Sequence, residues 1–114
     1  MSKVYVVNEP MKRGPSGEFV PMFDLSGASQ YGELVSLLPP GQMPNDLRYV
    51  RETIGDRLTD VSADDWLLLI GNPVAIAIAA ALAADMTDGK LKFLRWHSQN
   101  HAYQPMSVDL WPND

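Results

Sequence analysis

Nineteen consecutive residues, Trp66 to Ala84, carry no charge, and how that run divides limits the fold more than any other feature of the chain. Length alone would suit a membrane span, which needs about 20 apolar residues. Gly71-Asn72-Pro73 interrupts the run near its front, seven of its residues are alanine, and Asp64, Asp65, Asp85 and Asp88 press on both ends. A buried strand followed by a buried helix is the better division. Trp66-Leu67-Leu68-Leu69-Ile70 is too short for a helix and apolar on both faces, as an interior strand is. Gly71 turns the chain, Asn72 is a natural N-cap, and Pro73 falls at the first helical position, where its missing N–H costs nothing. Val74 to Met86 follows as a helix with almost no polar face. Such a helix is expected to be buried all round, between the sheet and a further element or a second subunit.

The flanking segments supply the rest of an α/β pattern. Residues 3–7 read as a first strand, and Phe19 to Phe23 as an edge strand pairing back on it, since Pro21 lacks a ladder donor. The turn formers from Pro10 to Glu18 join the two, with a loop tip at Gly14 to Gly17. Asp24 to Glu33 reads as a short helical turn capped by Ser26, and Leu34 to Leu38 as a second buried strand. Pro44-Asn45-Asp46 opens a helix whose Leu47, Val50, Ile54 and Leu58 recur at spacings of three and four, with Gly55 a weak point. Leu91 to Trp96 and Tyr103 to Leu110 read as an antiparallel hairpin across the polar link His97 to His101. The expected fold is one α/β domain over residues 1–114. It has a small mixed sheet of four to five strands, two main helices, a Rossmann-like βαβ core and a C-terminal β-hairpin.

Composition removes several classes of function. The 114 residues include no cysteine, which excludes disulfides, cysteine zinc sites, iron–sulfur clusters and thiol catalysis. The net charge is −5, and nine Lys and Arg spread along the chain do not make the cationic surface that nucleic acid needs. Lys90, Lys92 and Arg95 alternate with Leu91, Phe93 and Leu94, which reads as a guarded edge strand rather than a nucleic-acid platform. The apolar run at residues 4–7 is too short for a signal peptide and lacks a cleavage site, so neither export nor a membrane is expected.

No reaction is named by any residue constellation. Gly71 and Asn72, with Asn8 after the first strand, stand where α/β folds hold phosphates, and are the candidate ligand-binding residues. There is one glycine rather than a fingerprint of three, and Pro73 removes a donor, so a structural cap is favoured. His97 and His101 lack a third ligand, and no metal or cofactor is expected. Asp64 and Asp65 read as solvated flanking charges, and Asp24 and Glu33 as candidates for the crevice rim. Ser26, Ser36 and Ser62 lack the surroundings of a nucleophile, and no catalytic residue is assigned. Trp96, Tyr103 and Trp111 form a binding patch if exposed, with closure of the core as the favoured alternative.

Three stretches carry a resemblance: Lys3-Val4-Tyr5-Val6-Val7-Asn8-Glu9-Pro10, Asp65 to Pro73 with its alanine helix, and Lys92-Phe93-Leu94-Arg95-Trp96 with Tyr103-Gln104-Pro105. Together they resemble a family of small uncharacterised proteins of tailed bacteriophages. The resemblance implies a viral protein acting in the host cytoplasm and brings no catalytic residues. The expected function is a non-enzymatic accessory protein that binds a host or phage protein, or itself, through the alanine helix or the C-terminal hairpin. The alternative is a small-molecule or nucleotide-binding domain, enzymatic or not, built on Gly71, Asn72 and the loop after Val7.

Overall fold

In the computed structural model, which describes residues 2–113, the apolar run divides as its residues dictate. Trp66–Leu68 is a strand, and Pro73–Met86 is a helix capped by the Asn72 side chain, which accepts the Val74 N–H at 2.8 Å. In chain order the elements are β1 (Lys3–Val6), β2 (Met11–Arg13), β3 (Phe19–Pro21), a 3₁₀ helix (Ser26–Tyr31) and β4 (Glu33–Ser36). Then come α1 (Leu47–Arg57), β5 (Trp66–Leu68), α2 (Pro73–Met86), β6 (Lys90–His97) and β7 (Ala102–Asp109).

The main sheet has the order β4-β1-β5-β6-β7. β4, β1, β5 and β6 run parallel, and β7 returns antiparallel on β6 with Trp96 opposite Tyr103. This is the expected mixed α/β sheet with its C-terminal hairpin. One face packs Tyr5, Val7 and Leu67 against Val50 and Ile54 of α1 and Ala79 of α2. The other packs Val4, Val6, Leu68 and Leu94 against Leu25 and Ala28. Among the described residues no helix is long and apolar enough to cross a membrane.

Several local expectations fail for identifiable reasons. Phe19–Pro21 pairs with Met11–Arg13, not with β1, because both sides of β1 are taken by β4 and β5. The stretch read as turn formers therefore holds a strand, and the hairpin stands apart from the main sheet. Ser26 is the first residue of the 3₁₀ helix rather than its cap, and Asp24 accepts its N–H at 2.9 Å. β4 is an edge strand with Leu34 exposed, and burial falls on Leu37 and Leu38 just beyond it. Leu47, placed in the buried stripe of α1, is exposed, whereas Val50, Ile54 and Leu58 are fully buried.

α2 is not buried all round. Ala75, Ala79 and Ala83 face the core and Gly55 of α1 lies beside Leu82, but Val74, Ala77 and Ala81 lie exposed. β6 is not an edge, so the guard reading of its cations fails; the Lys92 ammonium instead sits 4.0 Å over the Trp66 ring. The edge is β7, and its guard is Pro105. The Leu110 N–H donates to Gly89, so alternation turns the odd-numbered β7 nitrogens outward, and Pro105 interrupts that open row. Asp65 is buried rather than solvated, and its carboxylate accepts the N–H groups of Lys3 (2.8 Å) and Ser62 (2.9 Å).

Candidate functional site

The chain leaves β1 for β4 on one side and then, through α1, reaches β5 on the other. The five sheet strands thus take the order 2-1-3-4-5, whose connections diverge between β1 and β5. Open α/β sheets leave a crevice at that point, beyond the carboxyl ends of the strands. Asn8 follows β1 there and Ile70-Gly71-Asn72 follows β5.

Asn8 is 3% exposed and ties three loops together. Its N–H donates to the Ile70 carbonyl (3.1 Å) and its Nδ2 to the Gly41 carbonyl (3.0 Å), while its Oδ1 accepts the Asn72 N–H (3.3 Å). Gly71 has φ +102, and a Cβ there would overlap the Asn8 carbonyl oxygen and lie 2.6 Å from the Asn8 Cβ. Only glycine fits. The structure therefore gathers Asn8, Gly71 and Asn72 into one clasp, but their polar groups are engaged with one another. At the start of α2 the Asn72 N–H goes to Asn8, Pro73 has none, and the Val74 N–H goes to Asn72. Little is left for an anion.

Beside the clasp lies a pocket of about 310 Å³ lined by Phe23, Ile70, Trp96 and Tyr103, with Asp24 at its lip. The hairpin register builds its inner wall. Trp96 and Tyr103 are opposite each other, so both rings project from one face and meet edge to face, 5.2 Å apart at 70°. The Tyr103 hydroxyl donates to the Asp24 carbonyl at 3.3 Å and holds the bend after β3 against the sheet. That bend brings in Phe23. Phe23 is 51% and Trp96 50% exposed, so the favoured core-closing role does not hold for Trp96, whereas Tyr103 is buried.

The Ser26 backbone N–H, and then its side chain, hold the Asp24 carboxyl below its ordinary pKa, so it is anionic at neutral pH. Burial first, then the charges of Asp24 and Glu9, push the Tyr103 phenol up. The pocket opens toward a shallower depression of about 480 Å³ over the clasp, where Met11, Met22 and Met43 lie. No lysine or arginine lines either.

Other sequence-marked residues lie elsewhere. Trp111 packs on Gly89, where a Cβ would meet its ring at 2.6 Å. Gly89 precedes β6 and Trp96 nearly ends it, so Trp111 lies about 20 Å away along the strand and shares no patch with Trp96 and Tyr103. Its half-exposed ring does not close the core either. Asp24 stands on the rim as expected, but Glu33 begins β4 at the opposite end of the sheet. The His101 ring meets Trp96 edge to face at 6.4 Å, and the Nδ1 of His97 is buried without a partner. Among the described residues no three His, Asp or Glu side chains stand together as metal ligands. Phe23 and Ile70 carry no local signal of a site in the sequence. Phe23 reaches the pocket because β3 pairs with β2 and the chain bends toward the sheet after it.

Neither the curated proteins nor the solved structures contain a match to this chain. A family model described as Phage Pam3 gp32-like protein matches residues 2–110, nearly the whole length, including every residue of the clasp and the pocket. The chain belongs to the Phage Pam3 gp32-like protein family, and it is a phage protein.

Proposed function

We infer that this is a non-enzymatic binding module, and that the Phe23–Ile70–Trp96–Tyr103 pocket seats a side chain of a partner protein, from the host or the phage. One observation carries the reading: half-exposed Phe23 and Trp96 stand at the mouth of a pocket beyond the carboxyl ends of β5 and β6. Exposed aromatic rings around a preformed recess are the kind of anchor that dominates protein interfaces. The three methionines alongside suit a contact surface that adapts to its partner. Chemistry has less support, since the one carboxylate at the pocket has its pKa lowered rather than tuned toward neutrality, as an acid or base would need. A phosphate or nucleotide at Gly71-Asn72 is weaker still, because the clasp engages the donors it would use.

The test is capture of a protein from phage-infected host lysate by tagged wild-type, Trp96→Ala and Phe19→Ser chains. Phe19 is 66% exposed but does not line the pocket. The reading expects one captured protein that Trp96→Ala loses and Phe19→Ser keeps. Equal capture by all three, or equal loss, refutes it.

A further inference from the structure

Three rings line the recess, two of them edge to face, and aromatic rings attract more than apolar groups. The face of an aromatic ring is the negative side of its quadrupole, and a cation over several such faces is held by each. Two other surface rings of this chain already carry one of its own cations: Trp66 lies under the Lys92 ammonium at 4.0 Å, and Phe19 under the Arg13 guanidinium at 5.1 Å. Among the described residues no lysine or arginine serves the Phe23–Trp96–Tyr103 set. That set is also the one with a carboxylate at its lip. The Asp24 carboxylate accepts the Ser26 N–H, has the Ser26 side chain beside it, and lies open to solvent. The chain as a whole, Asp24 included, carries a net charge of −5.

We propose that the pocket is an aromatic cage for a cation, and that its occupant is a lysine or arginine side chain from a basic segment of the partner protein. This rests on the binding-module reading above and names the chemistry of the partner. Phe23, Trp96 and Tyr103 supply the ring faces, Ile70 packs on the aliphatic stem, and Asp24 pairs with the charged head. The volume of about 310 Å³ leaves room for such a stem and head. An anion would meet the Asp24 carboxylate and no lysine or arginine among the lining residues.

The experiment follows the Trp96 indole N–H resonance in ¹⁵N-labelled wild-type protein during titration with the blocked tripeptides Gly-Lys-Gly, Gly-Arg-Gly and Gly-norleucine-Gly. The neutral peptide keeps the stem without the charge. Basic peptides should bind about three- to thirtyfold more tightly than the neutral one, the ratio that one exposed cation–π contact plus one exposed ion pair supports. Asp24→Asn, read at the same resonance, should lower that preference and leave the neutral peptide unaffected. Added salt should narrow it as well. Equal binding of the neutral peptide, or an unchanged preference in Asp24→Asn, overturns the cage while leaving a pocket that binds. No shift with any peptide, alongside a captured protein that still depends on Trp96, overturns the cage alone. No shift together with capture indifferent to Trp96 overturns both readings.

Discussion

Gly71 and Gly41 allow the close contact at the clasp to be separated from backbone strain, because their φ angles nearly match, +102 and +110, and their surroundings do not. A Cβ at Gly41 would meet nothing within 4 Å, whereas one at Gly71 would run into the Asn8 backbone. Gly41→Ala should therefore cost only the strain of placing a side chain in that region, ~1–2 kcal/mol. Gly71→Ala incurs the same strain and must also push the loop off Asn8. That breaks the Asn8 N–H bond to Ile70 (3.1 Å) and the Asn72 N–H bond to Asn8 Oδ1 (3.3 Å), each worth about 1 kcal/mol. The expected total is ~3–4 kcal/mol, so the two variants should differ by ~2 kcal/mol, roughly 30-fold in the unfolding equilibrium. Urea unfolding, followed by tryptophan fluorescence and far-ultraviolet circular dichroism with a shared slope, reads that difference. If the two variants unfold within ~0.5 kcal/mol of each other, the clasp has no energetic role beyond its backbone angles.

Three further outcomes are expected. Gly55→Ala should stabilise the protein by about 1 kcal/mol in the same urea assay, because Gly55 is interior to α1 and its Cβ would sit an ordinary 3.9 Å from Leu82. Asp65→Ala should cost ~3 kcal/mol by removing the carboxylate that accepts the Lys3 and Ser62 N–H groups, and a loss below ~1 kcal/mol would show that water replaces it. Alkaline pH should destabilise the fold. Burial, then the nearby carboxylates, raise both Tyr5 and Tyr103 above the ordinary 10.0, so each favours folding below that value and loses its contribution as pH climbs through the raised folded pKa. Urea midpoints should stay level up to about pH 9 and then fall, and less steeply in Tyr103→Phe.

The elements that the sequence made legible are those whose local signals agree. Asn72 and Pro73 mark the start of α2 whatever surrounds it, and Asp46 does the same for α1, its side chain accepting the Arg48 and Tyr49 N–H groups. The clasp was half legible. Glycine before a cap marked Gly71, but that Asn8 would spend its amide on Gly41 and Asn72 depends on loops 33 and 64 residues distant. The same limit hid the pairing of β3. Phe19–Pro21 has strand residues, but which strand it joins is decided by how β4 and β5 occupy the flanks of β1. The exposed side of α2 is hidden in the sequence for a related reason. Alanine is nearly as content at a surface as in a core, so an alanine helix does not demand cover on every side. Trp96 and Tyr103 stand out in the sequence because large rings do so anywhere, whereas Phe23 and Ile70 join the pocket only once the bend after β3 meets the end of β5.

The central claim is that the partner enters at this pocket, and site-specific photocrosslinking tests it most directly. A benzophenone amino acid at position 42 sits in the depression that adjoins the pocket and leaves the pocket rings intact; at position 34 it sits on the exposed edge strand β4, away from the pocket. Irradiated during phage infection, the chain labelled at 42 should form one discrete adduct that the chain labelled at 34 does not form, and Trp96→Ala should abolish it. The same adduct from both positions, or one at 42 that survives Trp96→Ala, would contradict the account.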